Sequence, residues 1–525
     1  MKRNSRQKLQ ARALRVASAP AISGHWLAKI LTAAVLSIAA GFPAPTAAFD
    51  MDDVAAQAMK LAEEPFEDPR GEVPEWLLQI SYDQWRDIRY RPDRAVWRDR
   101  RSPFQVQFFH PGLYYDRVVK VNLVEADGTH TVPYSPSYFD YGKNEFASRV
   151  PQTLGYAGFR LHYPIKTLKY FDEVIVFLGA TYFRAVGRNE VFGLSARGLA
   201  VNTAVSSGEE FPYFKEYWLV APAPDAKELL VYALLDSPSL TGAYRFLVRP
   251  GDQTIVTVEA RLFLRREIQK LGLAPLTGMF FLGENSLRRF EDFRPEVHDA
   301  DGMLLRFQNG EWLWRPLDNP QALHISAFKM ANPKGFGLVQ RDRNFDHYQD
   351  IETRAERRPS VWVEPNGDWG PGRMELIEIP TDSDVNDNII TSWVPDALPK
   401  PGEPFAFSYT MYWYGDDTTR PPAGRTVATR RDRGTAKEAY RFVIDFAGKK
   451  LEAIPADRVL RGVVSVAPAE AGELLEQHVM KNPVTGTWRL VFQMRPKSAD
   501  PVELRAFLDR GGDTLTETWS YVVLP

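Results

Sequence analysis

Apolar and polar positions alternate along most of this chain, and the alternation predicts strands. Phe104, Val106 and Phe108 are separated by glutamines. Glu173 to Val186 reads as two strands broken near Gly179, Val256 to Leu264 as another, and Met374 to Ile379 as a short one. Clusters of Gly, Pro, Asn and Asp separate these runs at roughly the 8–12-residue spacing of an all-β sandwich. One segment breaks the pattern. Between Met51 and Glu64, Val54, Ala58 and Leu61 fall on one helical stripe, Asp50 stands where an N-cap belongs, and Pro65 stops the run. No βαβ alternation, phosphate-cradling loop or dinucleotide glycine fingerprint is present.

The clearest break is the Pro-rich stretch Val394 to Gly402, a stiff, extended linker. Strand-like runs follow at Phe405–Trp413, Tyr440–Phe446, Val463–Val466, Thr487–Met494, Val502–Leu508 and Leu515–Val523, the pattern of an immunoglobulin-like sandwich. The basic run Arg425–Arg433 reads as a solvated hairpin tip. The organisation expected is a leader over 1–48, a large N-terminal β-sandwich over 49–394, a linker over 395–402 and a smaller immunoglobulin-like domain over 403–525.

The leader expectation rests on charge. Lys2, Arg3, Arg6, Lys8, Arg12, Arg15 and Lys29 precede or border an apolar run from Ile30 to Gly41, and small residues close it at Thr46-Ala47-Ala48. Such a run is too short to span a bilayer, which needs about 20 residues, so it reads as a cleaved secretory signal. Export to the periplasm follows, with no membrane span in the mature chain. Without those seven basic residues the net charge of −2 becomes about −9, which disfavours nucleic acid as a partner. Arg89 and Arg91 beside Trp85, Tyr90 and Trp97 therefore read as stacked, ion-paired surface arginines.

The chain has no cysteine and eight scattered histidines, so neither disulfides nor a zinc site is expected. No metal or cofactor is implied. His298-Asp299-Ala300-Asp301-Gly302 and Thr381 to Asn388 read in isolation as polar turns. Asp299 and Asp301 alternate as calcium ligands do, but the glutamate of an EF-hand loop is missing from its place. Nine of the 13 tryptophans fall between Trp76 and Trp393. They suit a β core, and their faces also suit sugar rings.

Several strings together resemble the periplasmic glucan biosynthesis protein G/D family, the G branch being the nearer. They are Ser81 to Arg89, Phe104 to Gly112, Tyr232 to Ser239, Arg294 to Gly302, Gly310 to Leu317, Arg358-Pro359-Ser360 through Trp369-Gly370, and Asn386 to Ile389. They run in family order along the whole mature chain. The resemblance implies a carbohydrate-active N-terminal sandwich joined to an immunoglobulin-like domain, and a part in making osmoregulated periplasmic glucans with a β-1,2-linked glucose backbone. It further implies an inverting endo-β-1,2-glucanase or transglycosylase with Asp387 as general acid and Asp299 as general base. The alternative it leaves open is a non-catalytic glucan-binding or docking protein assisting a membrane-bound glucosyltransferase.

Inverting hydrolysis needs one protonated carboxyl and one ionised carboxylate, about 6.5–9.5 Å apart to admit water. Asp382 and Asp384 lie close enough in sequence to raise the Asp387 pKa by repulsion. The substrate-binding candidates are Trp312, Trp314, Tyr348, Asp350, Trp362 and Glu364. Trp312 and Trp314, two apart, share a strand face and either stack on glucose or pack between sheets. Where the resemblance leads one to expect a tyrosine ahead of Arg358-Pro359-Ser360, this chain has Ala355. If that tyrosine relays a proton to the base, its absence slows hydrolysis, favours sugar transfer or removes activity.

Overall fold

The computed structural model describes residues 49–287 and 290–524, so the expected leader lies outside the described residues. Phe49 onward forms one compact unit. Strands make up 46% of the structure and helices 9%, which makes the fold all-β.

The helix forms where its stripe placed it, Met51–Ala62, closed at its start by a reciprocal cap between Asp50 and Asp53. Val54, Ala55 and Ala58 bury its apolar face on the outer side of strands Leu229–Asp236 and Leu240–Arg249, against Trp218, Tyr232 and Leu234. The break expected near Gly179 is also present. Tyr170–Leu178 and Tyr182–Ala185 are antiparallel strands joined through Gly179 and Ala180, both with positive φ.

Two large sheets face each other. One has ten strands, among them Gln105–Phe109, Gly158–Thr167, Tyr182–Ala185, Ser195–Arg197, Leu271–Gly278, Ile389–Pro395 and Gly372–Glu378, and it ends on the edge strand His324–Met330. The other has fifteen, centred on Gly302–Arg306, Gly335–Val339, Ser360–Pro365 and Thr254–Leu264. Side chains of alternate residues from both sheets fill one core, including Phe159, Phe177, Tyr244, Phe246, Leu273, Met303 and Phe336.

The fifteen-stranded sheet does not stop at the first sandwich. Trp312–Pro316 pairs in parallel with Thr518–Val523, which continues into Val502–Arg510 and Arg461–Ala467. Over that end lies a four-stranded sheet of Arg425–Arg433, Tyr440–Ala447, Trp488–Pro496 and Gly472–Lys481. A second core, with Phe442, Phe492, Trp519 and Tyr521, fills the space between.

Two expectations change here. The strand after the linker, Pro404–Tyr414, is hydrogen-bonded on one side to Thr254–Leu264 and on the other to Ser360–Pro365. The Pro-rich stretch thus carries the chain across from Ile389–Pro395 in the facing sheet, and the C-terminal sandwich begins beyond Tyr414 rather than at 403. Its composition signals a stiff connection but not which sheet the next strand enters. The basic run 425–433 is a strand and not a hairpin tip. Three of its four arginines are matched by acids, Arg425 by Asp416, Arg430 by Glu284 and Asp445, and Arg431 by Asp318, and Arg433 lies over the Tyr440 ring.

Candidate functional site

The strand Leu271–Gly278 and the turn after it bring the two candidate aspartates to one place. Thr277, fully buried, donates its hydroxyl to Asp387 Oδ2 at 3.2 Å. Two residues on, the backbone of Met279 brackets Asp299. Its N–H donates to Asp299 Oδ2 at 3.1 Å, and its carbonyl accepts from the Asp299 N–H at 2.8 Å. Gly278 stands between, and a Cβ there would come within 2.3 Å of Leu194 and 3.5 Å of the Asp299 carboxyl. A bulkier residue would push into the space the two carboxyls share.

Asp299 follows directly on the short strand Val297–His298, which pairs with Phe280–Leu282. It is 6% exposed. Arg358 Nη1 donates to Asp299 Oδ1 at 2.5 Å and to the His298 carbonyl at 3.2 Å. Behind it, His298 is fully buried, stacked on Phe280, and hydrogen-bonded to Glu296 at 2.9 Å and to Gln340 at 3.1 Å. Burial opposes the charged imidazole, but the hydrogen bond and charge of Glu296 outweigh it and raise the His298 pKa.

Asp387 is held differently. It is exposed, on the loop between Gly372–Glu378 and Ile389–Pro395. Asn388 anchors the end of the loop, accepting from the Phe280 N–H at 2.8 Å and donating to the carbonyls of Phe280 and Ile379 at 3.0 Å. Asn319 anchors its start through both backbone groups of Thr381. Although the residue is exposed, the Asp387 carboxyl is crowded by the protein around it. That crowding and then the negative charge of Asp299 raise its pKa, against the Thr277 hydroxyl and the charges of Arg197 and Arg184. The repulsion comes from Asp299, across the site, rather than from Asp382 or Asp384 as the sequence suggested.

A cleft lined with aromatics leads to this pair. Two adjoining cavities of about 320 and 200 Å³ share Tyr115 and Tyr182. The larger adds Tyr114, Phe211 and Tyr213; the smaller adds Arg184 and Ser195. Ser195 is the ladder partner of Thr277, which places the floor of the cleft beside the residue that holds Asp387. Tyr182 lies under Arg197, with centroid and guanidinium 4.8 Å apart, and its hydroxyl is pushed up to about 12, chiefly by burial. Trp85 fixes Tyr115, their ring centroids 4.9 Å apart, and donates its indole N–H to the His110 carbonyl at 2.9 Å. The strings Ser81–Arg89 and Phe104–Gly112 therefore support this wall.

The six substrate-binding candidates lie elsewhere. Trp314 and Trp362 are 3% and 0% exposed and belong to the second core, on the sheet face turned away from the cleft. Trp312 does share their face, as its spacing required, but it stacks on Trp362 at 5.3 Å. Arg341 lies 3.7 Å from the Trp314 centroid and is ion-paired with Glu517. Glu364 accepts from the Trp362 indole at 2.8 Å. Trp314 and Trp362 join the two sandwiches, with Trp312 packed against them, because pairing Trp312–Pro316 with Thr518–Val523 turns their common face into an interior, and Glu364 lies partly exposed beside them. Tyr348 is fully buried and bonded to Gln340 at 2.6 Å, behind His298. Neither Trp314, Trp362 nor Tyr348 offers a face to a sugar. Asp350 accepts from Arg294 at 3.3 Å and caps the turn at Glu352 and Thr353.

Residues the sequence left without a role do appear at the site: Thr277, Arg358, Tyr115, Tyr182, Arg184 and Arg197. Arg358 stood inside a quoted string, and Tyr115 just past one, but neither carried a chemical signal of its own. Among the described residues, two groups bring three metal-type ligand atoms within 4.8 Å of one another: Glu125 with Asp127 and His130, and Glu296 with Asp342 and His347. In the second, His347 is hydrogen-bonded to Asp342 and Glu296 to His298, so these side chains already satisfy one another.

A family profile described as "Periplasmic glucan biosynthesis protein, MdoG" matches residues 49–523. The chain belongs to this family. Over 489 residues it is 47% identical to "Glucans biosynthesis protein G" of Ralstonia nicotianae, covering 91% of this chain and 96% of that protein. Among solved structures, a marsupial T cell receptor chain matches with a TM-score of 0.12 and 11% identity, over 50% of this chain and 87% of that one. So low a score carries no argument about the fold. Membership gives the chain a role in glucan biosynthesis. In this member of the family the described residues contain no helix long and apolar enough to cross a membrane.

Proposed function

We propose that this glucan biosynthesis protein cuts the β-1,2-glucan backbone in the periplasm, or transfers the cut chain to another hydroxyl, by inversion, with Asp387 as general acid and Asp299 as general base. The observation that carries the reading is the asymmetry of the pair. Asp387 is exposed and has a raised pKa, whereas Asp299 is buried and its carboxylate is paired with the Arg358 guanidinium. A donor on one side and a base on the other is the division of labour that inverting cleavage requires. The aromatic cleft supplies faces for sugar rings, and Arg184, which lines the smaller cavity, supplies donors for hydroxyls.

Each step then has a residue. The substrate's linking oxygen takes the Asp387 proton as the glycosidic bond breaks. Asp299 accepts a proton from the incoming nucleophile on the opposite face of the ring. When that nucleophile is water the chain is cut; when it is a glucan hydroxyl the chain is transferred, and because a single displacement inverts the anomeric carbon the new linkage is α.

Ala355 favours a second reading. Its methyl is buried in the turn Ala355–Arg357, just ahead of Arg358, and it brings no hydroxyl to the base. A protein without that relay would bind the growing glucan and present it to a membrane-bound glucosyltransferase. One experiment separates the readings. Purified protein is incubated with linear β-1,2-glucan, and chain lengths and reducing ends are followed over time beside Asp387→Asn. Shortened or rejoined chains that disappear in the variant support catalysis. Binding without any change in chain length rejects catalysis and leaves docking.

A further inference from the structure

One guanidinium gathers carboxylates from three stretches of chain at the rim of the acid loop. Arg294 Nη2 lies 2.9 Å from Asp384, which precedes Asp387 by three residues. Its Nη1 donates to Asp350 Oδ2 at 3.3 Å, and its Nε and Nη2 donate to Asp292, on its own turn, at 3.0 and 2.8 Å. The Arg294 side chain is 17% exposed, and charge-assisted bonds sheltered this far from water are the stronger kind.

Each outer partner leads to one of the two aspartates. On the acid side, Asn319 and Asn388 fix only the ends of the loop, and Val385 and Asn386 between them are exposed. Asp384 is the tie nearest the tip. On the base side, Asp350 accepts from the N–H groups of Glu352 and Thr353, and its carbonyl accepts from that of Arg354. This capped turn runs straight into Ala355–Arg357 and then Arg358, which holds Asp299.

We propose that Arg294 is a positioning residue that sets the gap between Asp387 and Asp299. It locks the acid loop and the turn leading to Arg358 onto one charge. Its effect on rate rests on the two-aspartate reading above; its effect on the loops does not. The gap matters because an inverting site must admit one nucleophile between its carboxyls, and misplacement by about 1 Å costs about 10²-fold in rate. Removing the cation also leaves three carboxylates facing one another, which drives the loops apart.

The test compares Arg294→Gln, Arg294→Lys, Asp384→Asn and Asp292→Asn in the full chain. By hydrogen exchange, Arg294→Gln speeds exchange in both 381–388 and 350–358 while the strand Thr254–Leu264 is unchanged. On linear β-1,2-glucan its kcat falls about tenfold to hundredfold with little change in KM. Lysine, which keeps the charge but not the fork, recovers part of the loss. Asp384→Asn, which cuts the tie between loops, costs more than Asp292→Asn, whose bond to Arg294 stays within Arg294's own turn. Unchanged exchange in either segment, wild-type kcat in Arg294→Gln, or equal losses in the two aspartate variants overturns the proposal. If wild-type protein leaves the glucan untouched while exchange still accelerates in both segments, the tie stands and the two-aspartate reading fails.

Discussion

The two candidate carboxylates differ in how the fold holds them. Asp299 belongs to the core. It is 6% exposed, its backbone and side chain are both bonded to Met279, and Arg358 closes the other oxygen. Asp387 belongs to a surface loop, is exposed, and makes one side-chain bond, to Thr277. Asp299 is therefore built with the sandwich, whereas Asp387 is placed by a loop pinned at a few points. The contrast teaches that stability and activity separate at one residue and travel together at the other. A carboxyl that must stay protonated gains from a crowded wall next to a like charge. One that must stay ionised gains from a fixed cation.

The largest effect should come from Asp299→Asn. It should cost rate by about 10²–10⁴-fold. It should also cost about 1–3 kcal/mol of stability, because the sheltered Arg358 loses its charged partner. Denaturant midpoints and product analysis on glucan check the two losses together. Asp387→Asn should lose rate on the same scale of about 10²–10⁴-fold with an unchanged midpoint. Equal destabilisation by the two variants would break the comparison.

Tyr115→Ala, in the cleft, should weaken glucan binding by about tenfold, as loss of an aromatic stacking face does. Trp314→Ala, at the junction of the sandwiches, should instead destabilise by about 3–5 kcal/mol. Titration of glucan against intrinsic fluorescence, set beside thermal unfolding, tells these apart.

The smallest effect sharpens the acid side. The Thr277 hydroxyl lowers the Asp387 pKa, so Thr277→Val should raise it further. The carboxyl then stays protonated to higher pH, and the alkaline limb of the pH–rate profile moves up. The charges of Asp299, Arg197 and Arg184 around it stay as they are. A limb that stays put or moves down would remove Thr277 from the acid's environment.

Pattern alone made much of the fold legible. Val54, Ala58 and Leu61 called for a helix and Asp50 for its cap, and both formed, because they depend on residues within a turn or two. Alternation around Phe104 and Val256 called for strands, and both lie where the period placed them. The spacing of Trp312 and Trp314 put them on one face, and they share one. What lay on that face was not legible, since it depends on Thr518–Val523 arriving some two hundred residues later. The same holds for Pro404–Tyr414, whose partners on both sides are remote.

The candidate site follows that division. Sequence by itself determined the all-β class, the helix and the family; the two aspartates it offered only as candidates, through the resemblance. These are local periodicities or strings that survive without partners. Only the tertiary structure decided that Thr277 and Met279 bring Asp387 and Asp299 to one strand end, that Arg358 pairs with Asp299, and that Arg294 ties Asp384 to Asp350. It also decided that Tyr115 and Tyr182, rather than Trp314 and Trp362, face the cleft. The physical reason is that burial, a raised pKa and an ion pair each belong to the neighbours a residue acquires. In a sheet those neighbours are set by strand order, which a single strand's pattern does not carry.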